Sequence, residues 1–232
     1  MPDSSDESAS TERSSRLPGA SHHMLHVQRT ARYSMLGDPS APHHVFVLHG
    51  YGQSAQNFIR PFAAIAQDDR CIVAPEALSR FYTDDLGEHS KVGASWMTKE
   101  AREAEIDDYV AYLDELATTL AGSASRSPTR TVLGFSQGAA TASRWAVLGS
   151  TPVDQLILWA GSPAHDLDYE THADSLRSMT PVLVVGDEDP WITEERRDQV
   201  TRMLTGHDIH VEMHTFPGGH RLSRDVLRDL FY

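Results

Sequence analysis

Short apolar runs alternate with longer amphipathic stretches along most of this chain. The apolar runs predict strands at residues 25–34, 44–48, 70–74, 129–135, 155–160, 182–185 and 208–216. Stretches with helical periodicity predict helices at 54–66, 99–120, 137–148, 193–204 and 221–230, and a short helix within 163–179. Residues 76–100 have no strong periodicity, which predicts a long loop with at most one helical turn.

The alternation of strands and helices predicts parallel βαβ units with right-handed crossovers. The runs at 45–48 and 182–185 are apolar throughout, as expected of strands that are covered on both faces. We therefore predict an α/β fold with a mostly parallel central sheet flanked by helices. In such a sheet the functional residues lie at the carboxyl ends of the strands.

Composition sets the domain boundaries. Residues 1–23 are rich in Ser, Asp, Glu and Arg and have almost nothing to bury, so we predict a disordered tail followed by a single domain at 24–232. The apolar runs are far shorter than the roughly 18 residues of a membrane span, and the N-terminus has no apolar signal-peptide core. Cys71 is the only cysteine, so no intramolecular disulfide forms. A cytoplasmic protein is the expectation.

The formal net charge is −13, and Lys91 and Lys99 are the only lysines. Such a surface does not suit nucleic acid, whose phosphates it would repel, and it lacks a basic patch for anionic lipid. Two explanations of the acidity remain open. One is adaptation to high salt, and the other is an acidic protein from a GC-rich genome.

Ser136 stands in a Gly-x-Ser-x-Gly pattern, between Gly134 and Gly138. By itself the pattern is common, but here it follows a predicted strand and precedes a predicted helix. A serine on so tight a turn exposes its hydroxyl, and the helix directs backbone N–H groups and a positive dipole end toward it. The pattern therefore predicts a nucleophile.

A serine nucleophile needs a base and a carboxylate that orients the base. In this kind of sheet the acid and then the histidine follow the serine along the chain. The turn after the strand at 182–185 contains three candidate acids, Asp187, Glu188 and Asp189. We favour Asp189, because it lies deeper in the turn and Pro190 makes its backbone rigid.

His220 is the favoured base. It follows a flexible Pro-Gly-Gly turn just beyond a predicted strand, where a side chain can reach a serine on a neighbouring strand end. The other histidines after the acid, His207, His210 and His214, fit a turn or an exposed strand face better.

The remaining candidates concern the oxyanion and the substrate. A tetrahedral oxyanion needs two N–H donors, and the backbone of Gln137 and of Tyr51, in the loop His-Gly-Tyr-Gly, can supply them. Trp96 and Trp191 lie in loops where they would line a substrate pocket, or alternatively fill the core. No histidine spacing indicates a metal, so neither a metal nor a cofactor is expected.

Four blocks, at residues 48–52, 134–138, 186–190 and 218–220, resemble those of the phospholipase/carboxylesterase family. This family of small α/β-hydrolases includes the acyl-protein thioesterases, and the resemblance extends from about residue 44 to 222. It implies an α/β-hydrolase fold without a large lid domain. It also implies Ser136 as nucleophile, Asp189 as acid, His220 as base, and Tyr51 and Gln137 as oxyanion donors.

The sequence thus predicts a serine hydrolase that cleaves carboxylic esters or thioesters of small or accessible acyl groups through an acyl-enzyme on Ser136. Its partner would be a small-molecule substrate, with no nucleic acid and no membrane span. A homodimer is compatible with the sequence, although no pattern indicates an oligomeric state. The alternative is a receptor or carrier that uses a hydrolase fold to bind a small molecule without cleaving it.

Overall fold

Nine strands and six α-helices form between residues 31 and 232 in the computed structural model, which describes residues 19–85 and 87–232. The strands are β1 (Tyr33–Leu36), β2 (His43–Leu48), β3 (Arg70–Pro75), β4 (Ser79–Tyr82), β5 (Val92–Ser95), β6 (Thr129–Phe135), β7 (Gln155–Trp159), β8 (Val182–Gly186) and β9 (Glu212–Phe216). The helices are α1 (Ala55–Phe58), α2 (Arg102–Ala121), α3 (Gln137–Leu148), α4 (Ala173–Met179), α5 (Glu194–Thr205) and α6 (Arg224–Phe231), with a 3-10 helix at Arg60–Ile65.

Residues 19–30 lie outside the compact unit formed by Ala31–Tyr232 and contain no helix or strand. Most of the tail predicted at 1–23 lies outside the described residues.

Seven strands form one sheet in the order β1-β3-β2-β6-β7-β8-β9, and β4 pairs with β5 in a separate hairpin. Only β1 runs antiparallel to its neighbour in the large sheet; all other pairs are parallel. The predicted α/β class with a mostly parallel sheet is confirmed. No large lid domain is inserted in the described part of the chain.

Helices cover both faces of the sheet, because alternate strand residues point to opposite sides. On β7, Leu156 and Leu158 pack with α2, α3, α4 and α5, whereas Ile157 and Trp159 pack with α1, the 3-10 helix and α6. Both faces are apolar, which is why the central strands read as continuous hydrophobic runs.

Four predicted elements differ from the structure. The first strand begins at Tyr33, not at residue 25. The helix predicted at 54–66 is a short α1 followed by the 3-10 helix, because Pro61 has no N–H for an α-helical bond. The strand predicted from 208 begins at Glu212, since Asp208 has φ +56° and extends the turn after α5.

The largest difference lies at 76–100, where the predicted loop contains the β4–β5 hairpin. Its connection is stabilised by Asp84, whose Oδ2 accepts hydrogen bonds from the backbone N–H of Ser90 (2.6 Å) and of Lys91 (3.0 Å). The strands are four residues long and β4 is half exposed, so their periodicity is too short to stand out from that of a loop.

Candidate active site

Ser136 occupies the turn between β6 and α3 with φ +54° and ψ −115°. A non-glycine residue in this region costs on the order of 1–3 kcal/mol, so the surrounding structure must hold it there. The Ser136 N–H donates to the Trp159 carbonyl of the neighbouring strand (2.9 Å), and its carbonyl accepts from the Ala139 N–H in α3 (3.0 Å). The strained turn presents the serine side chain at the carboxyl edge of the sheet.

The turn is tight because β6 and α3 touch through their backbones. A Cβ atom on Gly134 would lie 2.1 Å from the Gly138 carbonyl oxygen, so no other residue fits there without moving the strand or the helix. The two glycines of the motif therefore permit the close contact that produces the serine's conformation.

His220 and Asp189 form the polar pair beside this turn. Nδ1 of His220 lies 2.8 Å from Oδ2 of Asp189, and the imidazole ring lies 5.0 Å from the Phe135 ring, next to Ser136. Asp189 is 5% exposed, and its Oδ1 accepts the N–H groups of Trp191 (2.8 Å) and Ile192 (3.1 Å). Because the carboxylate can only accept, Nδ1 carries the proton and Nε2 is left free to act as a base.

The other candidate acids of the turn have different surroundings. Asp187 Oδ1 accepts the Gly218 N–H (2.9 Å) and so links the β8 turn to the β9 turn. The Glu188 side chain is exposed. Of the other histidines, His207 stacks on Tyr169, His214 lies 3.9 Å from Glu212, and His210 is exposed, so the structure brings none of them to Ser136.

The loop that contains Tyr51 abuts the serine turn. A Cβ atom on Gly50 would lie 3.2 Å from the Ser136 Cβ, which shows how closely the two backbones approach. The Gly50 N–H donates to Gln53 Oε1 (2.7 Å), and the Gly50 carbonyl lies 2.7 Å from His49 Nδ1. That carbonyl belongs to the same peptide plane as the Tyr51 N–H, the candidate oxyanion donor.

The His49 imidazole holds this peptide plane in place, and its hydrogen bonds define its own protonation state. It is fully buried, and its Nε2 accepts the Ala77 N–H (3.1 Å), so its proton is on Nδ1 and donates to the Gly50 carbonyl. Burial lowers the pKa of His49 and keeps the imidazole neutral. Sequence reasoning treated this histidine only as part of a turn, because its role depends on contacts with Ala77, far away in the sequence.

The second candidate donor is the backbone N–H of Gln137. Because Gln137 is the first residue of α3, this N–H has no acceptor within its own helix. The Gln137 side chain is held by the segment after β5. Its Oε1 accepts the Trp96 N–H (3.1 Å), and its Nε2 donates to the Met97 carbonyl (3.0 Å) and to Ser95 Oγ (3.1 Å). These contacts anchor the start of the helix beside Ser136.

Neither Trp96 nor Trp191, for which pocket lining and core packing were the two alternatives, lines the cleft above Ser136. Trp96 is 2% exposed; it packs 5.1 Å from the His49 ring and donates to the His49 carbonyl (2.8 Å), so it supports the Tyr51 loop from the core. Trp191 is 69% exposed and lies outside the cleft. Its position after Asp-Pro places only its backbone N–H near the site, on Asp189.

A cleft of about 1250 Å³ opens above Ser136 and His220. Its walls come from the Tyr51 loop, from α1 and from the β4–β5 hairpin, and the Tyr51 and Phe81 rings are in contact there, tilted by 36° with 5.2 Å between their centroids. The hairpin supplies a large part of this wall, although residues 76–100 were predicted as a loop.

Among residues 19–85 and 87–232, no group of three or more His, Cys, Asp or Glu side chains is placed to hold a metal ion. None of the helices in that part of the chain combines the length and apolar composition needed to cross a membrane.

Cys71 is buried in β3, and burial raises the pKa of its thiol to about 11, so it remains a protonated core residue.

Comparison with solved structures gives the same architecture. Esterase PE8 aligns with a TM-score of 0.65 at 22% identity, over 88% of this chain and 97% of that one. Acyl-protein thioesterase 2 from Zea mays aligns with a TM-score of 0.66 at 15% identity, over 87% and 96%. A phospholipase/carboxylesterase from Dyadobacter fermentans DSM 18053 aligns with a TM-score of 0.61 at 18% identity, over 89% and 97%.

At these identities the likeness establishes the fold, and the α/β-hydrolase prediction is confirmed. No curated protein matches the chain in sequence. A family model described as serine hydrolase (FSH1) matches residues 39–225. The matched region contains Ser136, Asp189, His220 and the Tyr51 loop, and it covers most of the chain. The protein therefore belongs to the FSH1 serine hydrolase family and is a hydrolase of the α/β-hydrolase superfamily.

Proposed function

We propose that this hydrolase cleaves carboxylic esters or thioesters through an acyl-enzyme on Ser136. His220 is the general base, Asp189 orients it, and the backbone N–H groups of Tyr51 and Gln137 bind the oxyanion. The observation that carries the proposal is the 2.8 Å contact between Asp189 and His220 at a cleft that Ser136 also lines.

In the first half of the reaction, His220 Nε2 takes the Ser136 proton as Oγ bonds to the substrate carbonyl carbon. The carbonyl oxygen gains negative charge and is stabilised by the two N–H donors, each contributing about 3–4 kcal/mol. The imidazolium then gives its proton to the departing alcohol or thiol, and the acyl group remains on Ser136.

In the second half, His220 takes a proton from water, which attacks the acyl carbon. The oxyanion forms again, Ser136 recovers its proton, and the carboxylic acid leaves. The buried Asp189 stabilises the imidazolium in both halves and holds the tautomer in which Nε2 can accept a proton. No lid domain covers the cleft in the described part of the chain, which favours small or accessible acyl groups.

Hydrolysis of a panel of p-nitrophenyl esters and acyl thioesters of varied chain length tests the proposal. We expect the wild type to cleave at least one class, and Ser136→Ala to lose about three orders of magnitude or more in kcat. Ser178→Ala, on the exposed face of α4, is the matched control and should behave as the wild type. Hydrolysis by Ser136→Ala at the wild-type rate would contradict the mechanism.

A further inference from the structure

The charges around the cleft are opposite to those of the whole protein. The chain has 33 acidic and 20 basic residues, so most of its surface is negative. The cleft is lined by no carboxylate among the described residues but by four basic side chains, those of Arg32, Arg80, Lys91 and Arg221. A cleft that sampled this composition at random would be acidic.

Two of the four basic groups share one buried carboxylate. Glu76 is 3% exposed; its Oε1 lies 2.5 Å from Arg32 Nε and 3.8 Å from Arg80 Nη1, and its Oε2 accepts the Ala55 N–H (3.3 Å). The carboxylate is therefore behind the wall, whereas the Arg32 and Arg80 side chains are 57% and 37% exposed. One positive charge is left over, and it faces the cleft.

The other two basic groups have no carboxylate partner among residues 19–85 and 87–232. Lys91 stands at the start of the β5 side of the hairpin. Arg221, next to His220, is held without an ion pair: its guanidinium lies 5.6 Å over the Phe216 ring and donates to the Pro217 carbonyl (3.0 Å). Uncompensated positive charge thus lies on two elements of the cleft lining, the hairpin and the His220 turn.

A cleft lined by side chains of one charge concentrates the electrostatic field and attracts ligands of the opposite charge. The net charge of −13 repels anions at long range, so a positive lining favours them only inside the cleft, within about one Debye length of roughly 8–10 Å. The adjoining Tyr51 and Phe81 rings supply an apolar contact beside the same charges. An ester with an apolar segment and an anionic group would match both features.

We propose that the cleft selects esters or thioesters that carry a carboxylate or phosphate besides the scissile carbonyl, with Arg80 and Lys91 as specificity-determining residues. The inference rests on the proposed function, since it names the substrate class of the same site. The anionic group is on the acyl side or on the leaving-group side of the bond, and the two cases share the same recognition chemistry.

Matched pairs of an anionic and a neutral substrate distinguish an anionic group on the acyl side from one on the leaving-group side. Mono-p-nitrophenyl adipate against p-nitrophenyl hexanoate tests a carboxylate on the acyl side. For the leaving group, p-acetoxybenzoate against its methyl ester tests a carboxylate, and acetyl coenzyme A against S-acetyl-N-acetylcysteamine tests phosphates. We expect at least one anionic probe to exceed its neutral partner by about tenfold or more in kcat/KM, as one charge-assisted hydrogen bond provides. About 0.5 M sodium chloride should reduce the ratio, because it screens the charges.

Arg80→Gln and Lys91→Gln should each lower this ratio several-fold, and the double variant should lower it further, to the share that Arg221 supplies. Arg32 still pairs with Glu76 in these variants, so the buried carboxylate keeps a partner. Arg202→Gln, on α5 outside the cleft, and Lys99→Gln, the other lysine, make the same changes in net charge. Both controls should keep the wild-type ratio.

Two results would overturn the inference while leaving the hydrolase proposal intact. In one, the wild type has a kcat/KM for the neutral substrate of every pair that equals or exceeds the kcat/KM for its anionic partner. In the other, the double variant keeps the full wild-type preference for an anion. Failure of the proposed function is distinct: no ester or thioester is cleaved and a fluorophosphonate does not label Ser136, and the inference then falls with it.

Discussion

At the scale of single residues, the site depends on side chains whose partners are distant in the sequence. The serine motif and the histidine after the glycine turn could be selected from the sequence because strand, turn and helix signals surround them. The choice among Asp187, Glu188 and Asp189 could only be argued, since it depends on which carboxylate faces His220. The structure brings Asp189 to that histidine and assigns Asp187 to the Gly218 N–H.

Asp189→Asn should lower kcat by about four orders of magnitude, because the amide can donate to Nδ1 and so favours the wrong imidazole tautomer. Glu188→Gln removes the same charge from an exposed position in the same turn and should leave kcat unchanged. Steady-state kinetics on the best ester of the panel measures both. Equal losses in the two variants would mean that the local charge matters and the contact between Asp189 and His220 does not.

At the scale of elements, the central strands and the long helices could be predicted because their periodicity is long and their burial is complete. The helix at 137–148 was predicted with the observed bounds. The β4–β5 hairpin could not be predicted, since its strands are only four residues long, β4 is half exposed, and its stability comes from Asp84 and from contact with the Tyr51 loop. The paired strands of the cleft wall were missed for the same reason, and the choice between pocket and core for Trp96 could not be made from the sequence.

The hairpin positions the oxyanion loop through its backbone. The Gly52 N–H donates to the Ala94 carbonyl (2.9 Å), and the Ala94 N–H donates to the Gln53 carbonyl (3.0 Å). Strand β5 approaches the Tyr51 loop so closely that a Cβ atom on Gly93 would lie 2.1 Å from the Gly52 carbonyl oxygen. Any side chain at this position must move the hairpin or the loop.

Gly93→Ala should therefore lower kcat by about tenfold to a hundredfold, since it displaces the Tyr51 N–H from the oxyanion. Gly122→Ala is the matched control: Gly122 has φ −61° at the end of α2, and an added Cβ would lie 3.4 Å from its nearest neighbour, the Thr119 carbonyl oxygen. Its kcat should stay at the wild-type value. Unchanged kcat in a folded Gly93→Ala variant would refute the role of the hairpin.

At the scale of the whole molecule, buried titratable groups link stability to pH. Burial lowers the pKa of His44 and of His49, so the folded state resists protonation at both imidazoles. Asp166 pairs with Arg144, which is 3% exposed, and with Arg102; these ion pairs outweigh partial burial and lower its pKa to about 2. The Asp166 contribution is therefore present at neutral pH and is lost only as the pH falls from about 4 through about 2.

The two histidines should make stability fall as the pH drops below about 6.5. The unfolded chain binds protons there whereas the folded chain does not, so the free energy of unfolding rises with pH in this window. Urea denaturation between about pH 5 and pH 8 measures the slope, and His44→Leu should make it shallower by removing one of the two groups. A slope that is zero, or that has the opposite sign, would contradict the assignment of neutral buried imidazoles.

Peptide mapping after reaction with a fluorophosphonate tests whether Ser136 is a nucleophile activated by His220. We expect one adduct, on the peptide that contains Ser136, formed rapidly by the wild type, much more slowly by His220→Ala and not at all by Ser136→Ala. An unlabelled wild type, an adduct on another residue, or equal labelling of Ser136→Ala would contradict it.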